Sequence, residues 1–115
     1  MLRILAVDFD KTLSFSNYPD VGDPNTSLFQ RLINLQRKRW VIILWTCRCG
    51  EPLKEAVKFC IDNGLTPDYV NENAPEAVTE YGSDSRKVYA DLYIDDKCCG
   101  VKSVERRLRR RRRRV

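Results

Sequence analysis

The stretch that most constrains this chain is Ile4-Leu5-Ala6-Val7-Asp8-Phe9-Asp10-Lys11-Thr12-Leu13. Four consecutive apolar residues, branched ones among them, read as a strand buried on both faces. The run then meets two carboxylates spaced i, i+2. If extended geometry carries through them, Asp8 and Asp10 point to the same side. Acids at the carboxyl end of a buried parallel strand are costly to leave without partners. A cation and a phosphoryl group would meet that cost, at the edge where α/β sheets place ligands.

The rest of the chain alternates strand and helix signals. Leu13 to Gly22 reads as a loop. Asp23 is placed as an N-cap with Pro24 first in a helix, whose apolar face is Leu28, Phe29, Leu32, Ile33 and Leu35. Val41 to Trp45 is a second apolar strand, ending at Thr46. Pro52 opens a helix with Leu53, Ala56, Val57, Cys60 and Ile61 on one face, closed by Asn63-Gly64. Tyr69-Val70 is a short strand, and Asn73 with Glu76 has capping-box spacing for a short helix up to Gly82. Leu92-Tyr93-Ile94 is the last strand and runs into Asp95-Asp96. This β-α-β alternation predicts an α/β domain with a parallel sheet and right-handed crossovers.

The formal charge of +5 hides a segregation. Residues 106–115 hold eight arginines and no acid, so residues 1–105 form a mildly acidic domain carrying a basic tail. Such a tail is expected to be a solvated, disordered arm, and it suits contact with nucleic acid. Five cysteines, an odd count, and an apolar start that stops at Asp8 favour a reducing, cytoplasmic setting. No segment reaches the ~20 apolar residues of a membrane span. Cys47-x-Cys49 and Cys98-Cys99 lack the usual zinc-ligand spacing, and the chain has no histidine.

In order, the strand ends carry Asp8, Asp10 and Thr12, then Thr46, then Asp95 and Asp96, with Arg86-Lys87 before the last strand. Over residues 2–97 this resembles the haloacid dehalogenase-like (HAD) superfamily, whose first motif is Asp-x-Asp-x-Thr after an apolar strand. The family more often has Gly where Lys11 stands. The resemblance extends to its small single-domain predicted hydrolases through Leu44-Trp45-Thr46-Cys47-Arg48, Val70-Asn71-Glu72-Asn73 and Tyr93-Ile94-Asp95-Asp96.

The resemblance implies a three-layer Rossmann-like core with strand order 4-1-2-3 and no separate cap domain, only a flap within Leu13 to Gly22. It implies a Mg²⁺-dependent phosphomonoester hydrolase in which Asp8 is the nucleophile and Asp10 the general acid and base. Mg²⁺ would be held by the Asp8 carboxylate, the Asp10 carbonyl and Asp95 or Asp96. Thr46 would bond the phosphoryl oxygens. Lys87 would neutralise charge, with Arg86, Lys54 or Lys97 as substitutes. Thr12 and Arg48 are candidate substrate contacts, Arg48 alternatively a surface residue. Phosphorylated small molecules or nucleic-acid ends are the expected substrates. The competing expectation is a phosphoryl- or nucleic-acid-binding module without turnover. A receiver-like phospho-acceptor fits less well, because its paired acids follow the first strand and its acceptor the third.

Overall fold

The computed structural model describes residues 3–16, 18–82 and 88–95. The opening apolar run is strand β1 (Arg3–Val7), buried from Ile4 onward. After it come α1 (Thr26–Arg37), β2 (Trp40–Leu44), α2 (Gly50–Asp62), β3 (Tyr69–Val70), α3 (Pro75–Tyr81) and β4 (Leu92–Ile94). The strands form one parallel sheet in the order β3-β2-β1-β4, which is the expected 4-1-2-3 order read from the other edge. β1 and β2 are the central strands, and only strands covered on both faces need such continuous apolar runs.

Alternate residues of β1 serve two separate cores. Leu5 and Val7 pack with Leu28, Phe29, Leu32 and Leu35 of α1 and with Ala56 and Cys60 of α2. Ile4 and Ala6 pack on the other face with Ile43, Ala74, Val88 and Ala77 of α3. Among the described residues two helices therefore cover one face and one helix the other, giving three layers. The outer strands are short, and carboxylates extend them. Asp91 Oδ2 accepts the Ile4 N–H and Asp68 Oδ2 accepts the Ile42 N–H, both at 2.7 Å. Each satisfies a donor at the start of a central strand that would otherwise lack a partner.

All three helix starts depart from the expectation. Asn25 rather than Asp23 caps α1, accepting the Leu28 N–H at 3.4 Å while its Nδ2 donates to the Thr12 carbonyl at 3.0 Å. The cap thus also fastens the helix to the turn after β1. α2 begins at Gly50, so Pro52 lies within the first turn, where its missing N–H costs nothing. α3 is capped at Ala74 with Pro75 next, and the Asn73–Glu76 box does not form. Asn73 is buried, and its side-chain oxygen accepts the Tyr89 N–H at 2.5 Å, fixing the approach to β4.

The apolar face of α2 is also turned from its expected position. Phe59 faces inward, edge-on to Phe9 with centroids 5.5 Å apart. Ile61 is half exposed and, with Leu53, Val57 and Val70, lines a groove of about 470 Å³. Cys60 lies at the core side, where burial pushes its thiol up to about 12. The expected result of native-state thiol labelling at pH 8, mapped by peptide mass, follows from thiolate availability. The exposed Cys47 and Cys49 are modified, and Cys60 reacts only after unfolding. Labelling of Cys60 at a rate like that of Cys47 would show that α2 does not pack as described.

Candidate functional site

The site lies where the strands end. Past the last paired residues the ladder continues by one bond on each strand pair. The N–H groups of Asp8, Trp45 and Asn71 donate to the carbonyls of Ile94, Val7 and Leu44, each at 2.8 Å. Val7 and Ile94 are register partners on β1 and β4, so Asp8 and Asp95 are the next residues on two adjacent parallel strands. Neighbouring strands run about 4.8 Å apart, which brings acids separated by most of the chain to one stretch of rim. Asp8 is half-buried and its Oδ1 accepts the Phe9 N–H at 2.8 Å. Asp95 is exposed.

Asp10 does not reach the rim by strand alternation, because β1 stops at Val7. The chain turns at Phe9, whose carbonyl accepts the N–H groups of Thr12, Leu13 and Ser14 at 3.2, 3.0 and 3.1 Å. Lys11 has φ 58 within this turn. That left-handed conformation is free for glycine and costs other residues about 1 kcal/mol, a physical reason for Gly at this position in the resembled family. Thr12 is 5% exposed, and its Oγ1 has no hydrogen-bond partner among the described residues. Its side chain lies in the interior of the turn.

Arg48 departs furthest from the reading of the sequence. It is buried, not at the surface, and it grips Asp10 with a two-pronged pair, Nε to Oδ2 at 3.0 Å and Nη2 to Oδ1 at 2.7 Å. Its other donors meet the carbonyls of Pro19 and Pro52 through Nη1, at 3.2 and 3.3 Å, and of Asp20 through Nη2, at 2.7 Å. All five N–H donors are thereby used, and none is left for a phosphate in this arrangement. The guanidinium also lies between the rings of Phe9 and Tyr18, with Cζ 4.7 and 5.3 Å from their centroids. The hydrogen bond to Asp10 raises the Arg48 pKa further, against the cost of burial.

Thr46 follows the end of β2. Its N–H donates to Asn71 Oδ1 at 2.8 Å, and its Oγ1 accepts the Arg48 N–H at 3.2 Å. An oxygen used that way keeps its own proton for a further acceptor. Asn71 therefore fixes the β2 end, and its φ of 54 is one that Asn tolerates better than most residues. Lys54 pairs with Glu51 at 3.1 Å on the exposed face of α2. Lys87, Arg86, Asp96 and Lys97 lie outside the described residues, as does the 106–115 tail. Among the described residues no group of three or more Cys, Asp or Glu side chains is placed to hold an ion. Asp8 and Asp95, next to each other on adjacent strands, are hard oxygen donors of the kind Mg²⁺ takes.

Two residues important to this arrangement escaped the sequence reading. Asn25 had a legible signal, since Asn caps helices as well as Asp does. Tyr18, stacked on Arg48, had none.

Sheet, layers and rim define a small α/β protein in which the adjacent parallel strands β1 and β4 are each followed by an acid at the carboxyl edge. No family model matches the chain, and no curated protein does. It is similar to a solved structure of a conserved protein from Bacteroides thetaiotaomicron, with 34% identity and a TM-score of 0.79, covering 94% of this chain and 90% of that one. The chain belongs to the same family as that conserved protein. No helix among the described residues is long and apolar enough to cross a membrane.

Proposed function

We propose that the protein is a Mg²⁺-dependent phosphomonoester hydrolase with an HAD-like core and a small flap in place of a cap, acting through an aspartyl-phosphate at Asp8. The observation that carries this reading is the register of β1 with β4, which puts Asp8 beside Asp95 at one rim. The Asp8 carboxylate attacks phosphorus and the ester P–O bond breaks. The departing alkoxide takes a proton from Asp10. Asp10 then takes a proton from water, whose oxygen attacks the acyl phosphate, releasing phosphate and restoring Asp8. The Thr46 hydroxyl donates to a phosphoryl oxygen. Asp8, Asp95 and the Asp10 carbonyl would hold Mg²⁺, which when bound supplies positive charge against the phosphoryl group. Proton donation by Asp10 requires one prong of the Arg48 pair to lengthen.

That last requirement favours a second reading, a phosphoryl- or nucleic-acid-binding module in which Asp10 stays clamped and turnover is absent. In either case the arginines of residues 106–115 would recruit polyanions, and a reducing cytoplasm is the proposed setting. Turnover of an aryl phosphate separates the two. The expected result is phosphate release with Mg²⁺ that stops with excess EDTA and returns on adding Mg²⁺ back. Phosphate binding without release, with and without metal, would favour the binding module.

A further inference from the structure

We propose that Phe15 and Tyr18 form a stacking subsite for the nucleobase of a phosphate ester held at the rim, an inference that rests on the phosphatase reading. Among the described residues the exposed large hydrophobic side chains are Phe15 at 64%, Tyr18 at 60% and Ile61. Two of the three stand three positions apart on the segment joining β1 to α1, and the Tyr18 ring lies over Arg48, which holds Asp10.

The described residues of this segment are fastened to one another. Ser14 is fully buried, and its hydroxyl donates to the Val21 carbonyl at 2.5 Å. The Phe15 N–H donates to the Asp23 carbonyl at 2.9 Å, and the Ser16 N–H to Ser14 Oγ at 3.2 Å. Gly22 has φ +45, and a Cβ there would sit 1.6 Å from Ser16 Oγ, so the two sides of the loop meet without room for a side chain. Arg48 takes the carbonyls of Pro19 and Asp20 while its guanidinium lies under the Tyr18 ring. Tyr18 therefore stands one guanidinium away from Asp10.

Aromatic rings kept in water on a preorganised loop cost stability in the free protein and need no ordering when a planar ligand arrives. Beside a phosphate-accepting rim, the ligand that uses both features carries a phosphate and a flat ring together. The nucleobase of a nucleotide does so, and sequence-tolerant base stacking works through such rings. The ester comes either as a free nucleotide or as the 5′ end of a strand. The eight arginines of residues 106–115 would favour the strand.

The test is equilibrium titration calorimetry on the full chain with Mg²⁺, carrying Asp8→Asn to stop turnover. Thymidine 5′-monophosphate is expected to bind about tenfold more tightly than 2-deoxyribose 5-phosphate, the difference one stacked base makes. In a Phe15→Ala variant that advantage should shrink several-fold while the sugar phosphate keeps its affinity. Tyr18→Phe should retain it. A 5′-phosphorylated oligothymidylate that binds more tightly than the mononucleotide, with steep salt dependence, identifies a strand end; equal affinity identifies the free nucleotide. Sugar phosphate that binds as well as nucleotide, or an advantage untouched by loss of the Phe15 ring, overturns the stacking subsite alone. Failure of both phosphates to bind overturns the phosphatase reading and the subsite with it.

Discussion

Asp8→Asn is expected to lower aryl-phosphate turnover by on the order of 10³-fold or more while leaving the thermal unfolding midpoint within a few degrees of wild type. An amide oxygen still accepts the Phe9 N–H, as Oδ1 does now at 2.8 Å, so the turn after β1 keeps its anchor. The amide lacks the nucleophilicity of a carboxylate, and no acyl phosphate forms. Rapid-quench detection of a phosphorylated wild-type enzyme, with none in the variant, is the direct measurement. Full activity in Asp8→Asn would remove the proposed nucleophile, whatever the sheet geometry.

Arg48→Met is the larger structural experiment. The side chain of Arg48 is 1% exposed and that of Asp10 26%, so the substitution leaves an acid partly desolvated beside an apolar side chain. The carbonyls of Pro19, Asp20 and Pro52 also lose a donor. Breaking one side of a buried pair costs about 3–5 kcal/mol, and the partial access of water to Asp10 points to the lower end. Calorimetric unfolding should therefore fall by roughly 10–20 °C in a domain of this size. Arg48→Lys keeps the charge but not the fork, and should fall between the two. Adding Asp10→Asn to Arg48→Met should recover part of the loss, because the unpaired charge is gone. A Tm unchanged by Arg48→Met would show that the loop, α2 and the turn after β1 are held together by something other than this clasp. If the binding-module reading is right, opening the clasp would not create turnover.

The layers of this fold were legible because burial leaves a pattern in residue type. β1 and β2 are uninterrupted apolar runs since each is covered on two faces. α1 shows its face at Leu28, Phe29, Leu32 and Leu35. Asp95 follows the last apolar triplet as Asp8 follows the first, so a parallel sheet with β4 beside β1 is enough to bring them to one rim. α2 was read less well. Its residues are apolar on more than one side, and the choice of Phe59 over Ile61 for the interior depends on what α1 and Phe9 offer opposite them.

Residue types alone therefore determined the alternation of strands and helices, the two central strands and the placing of acids at strand ends. The turn that carries Asp10, the anchoring of Thr46 by Asn71 and the partners of Arg48 were decided only by the tertiary structure. The reason is chemical: Arg48 is satisfied largely by main-chain carbonyls, and those of Pro19, Asp20 and Pro52 are the same group that every residue carries. A side chain that bonds to the backbone of distant segments leaves no mark on their identity, so its place appears only when the chain has folded around it.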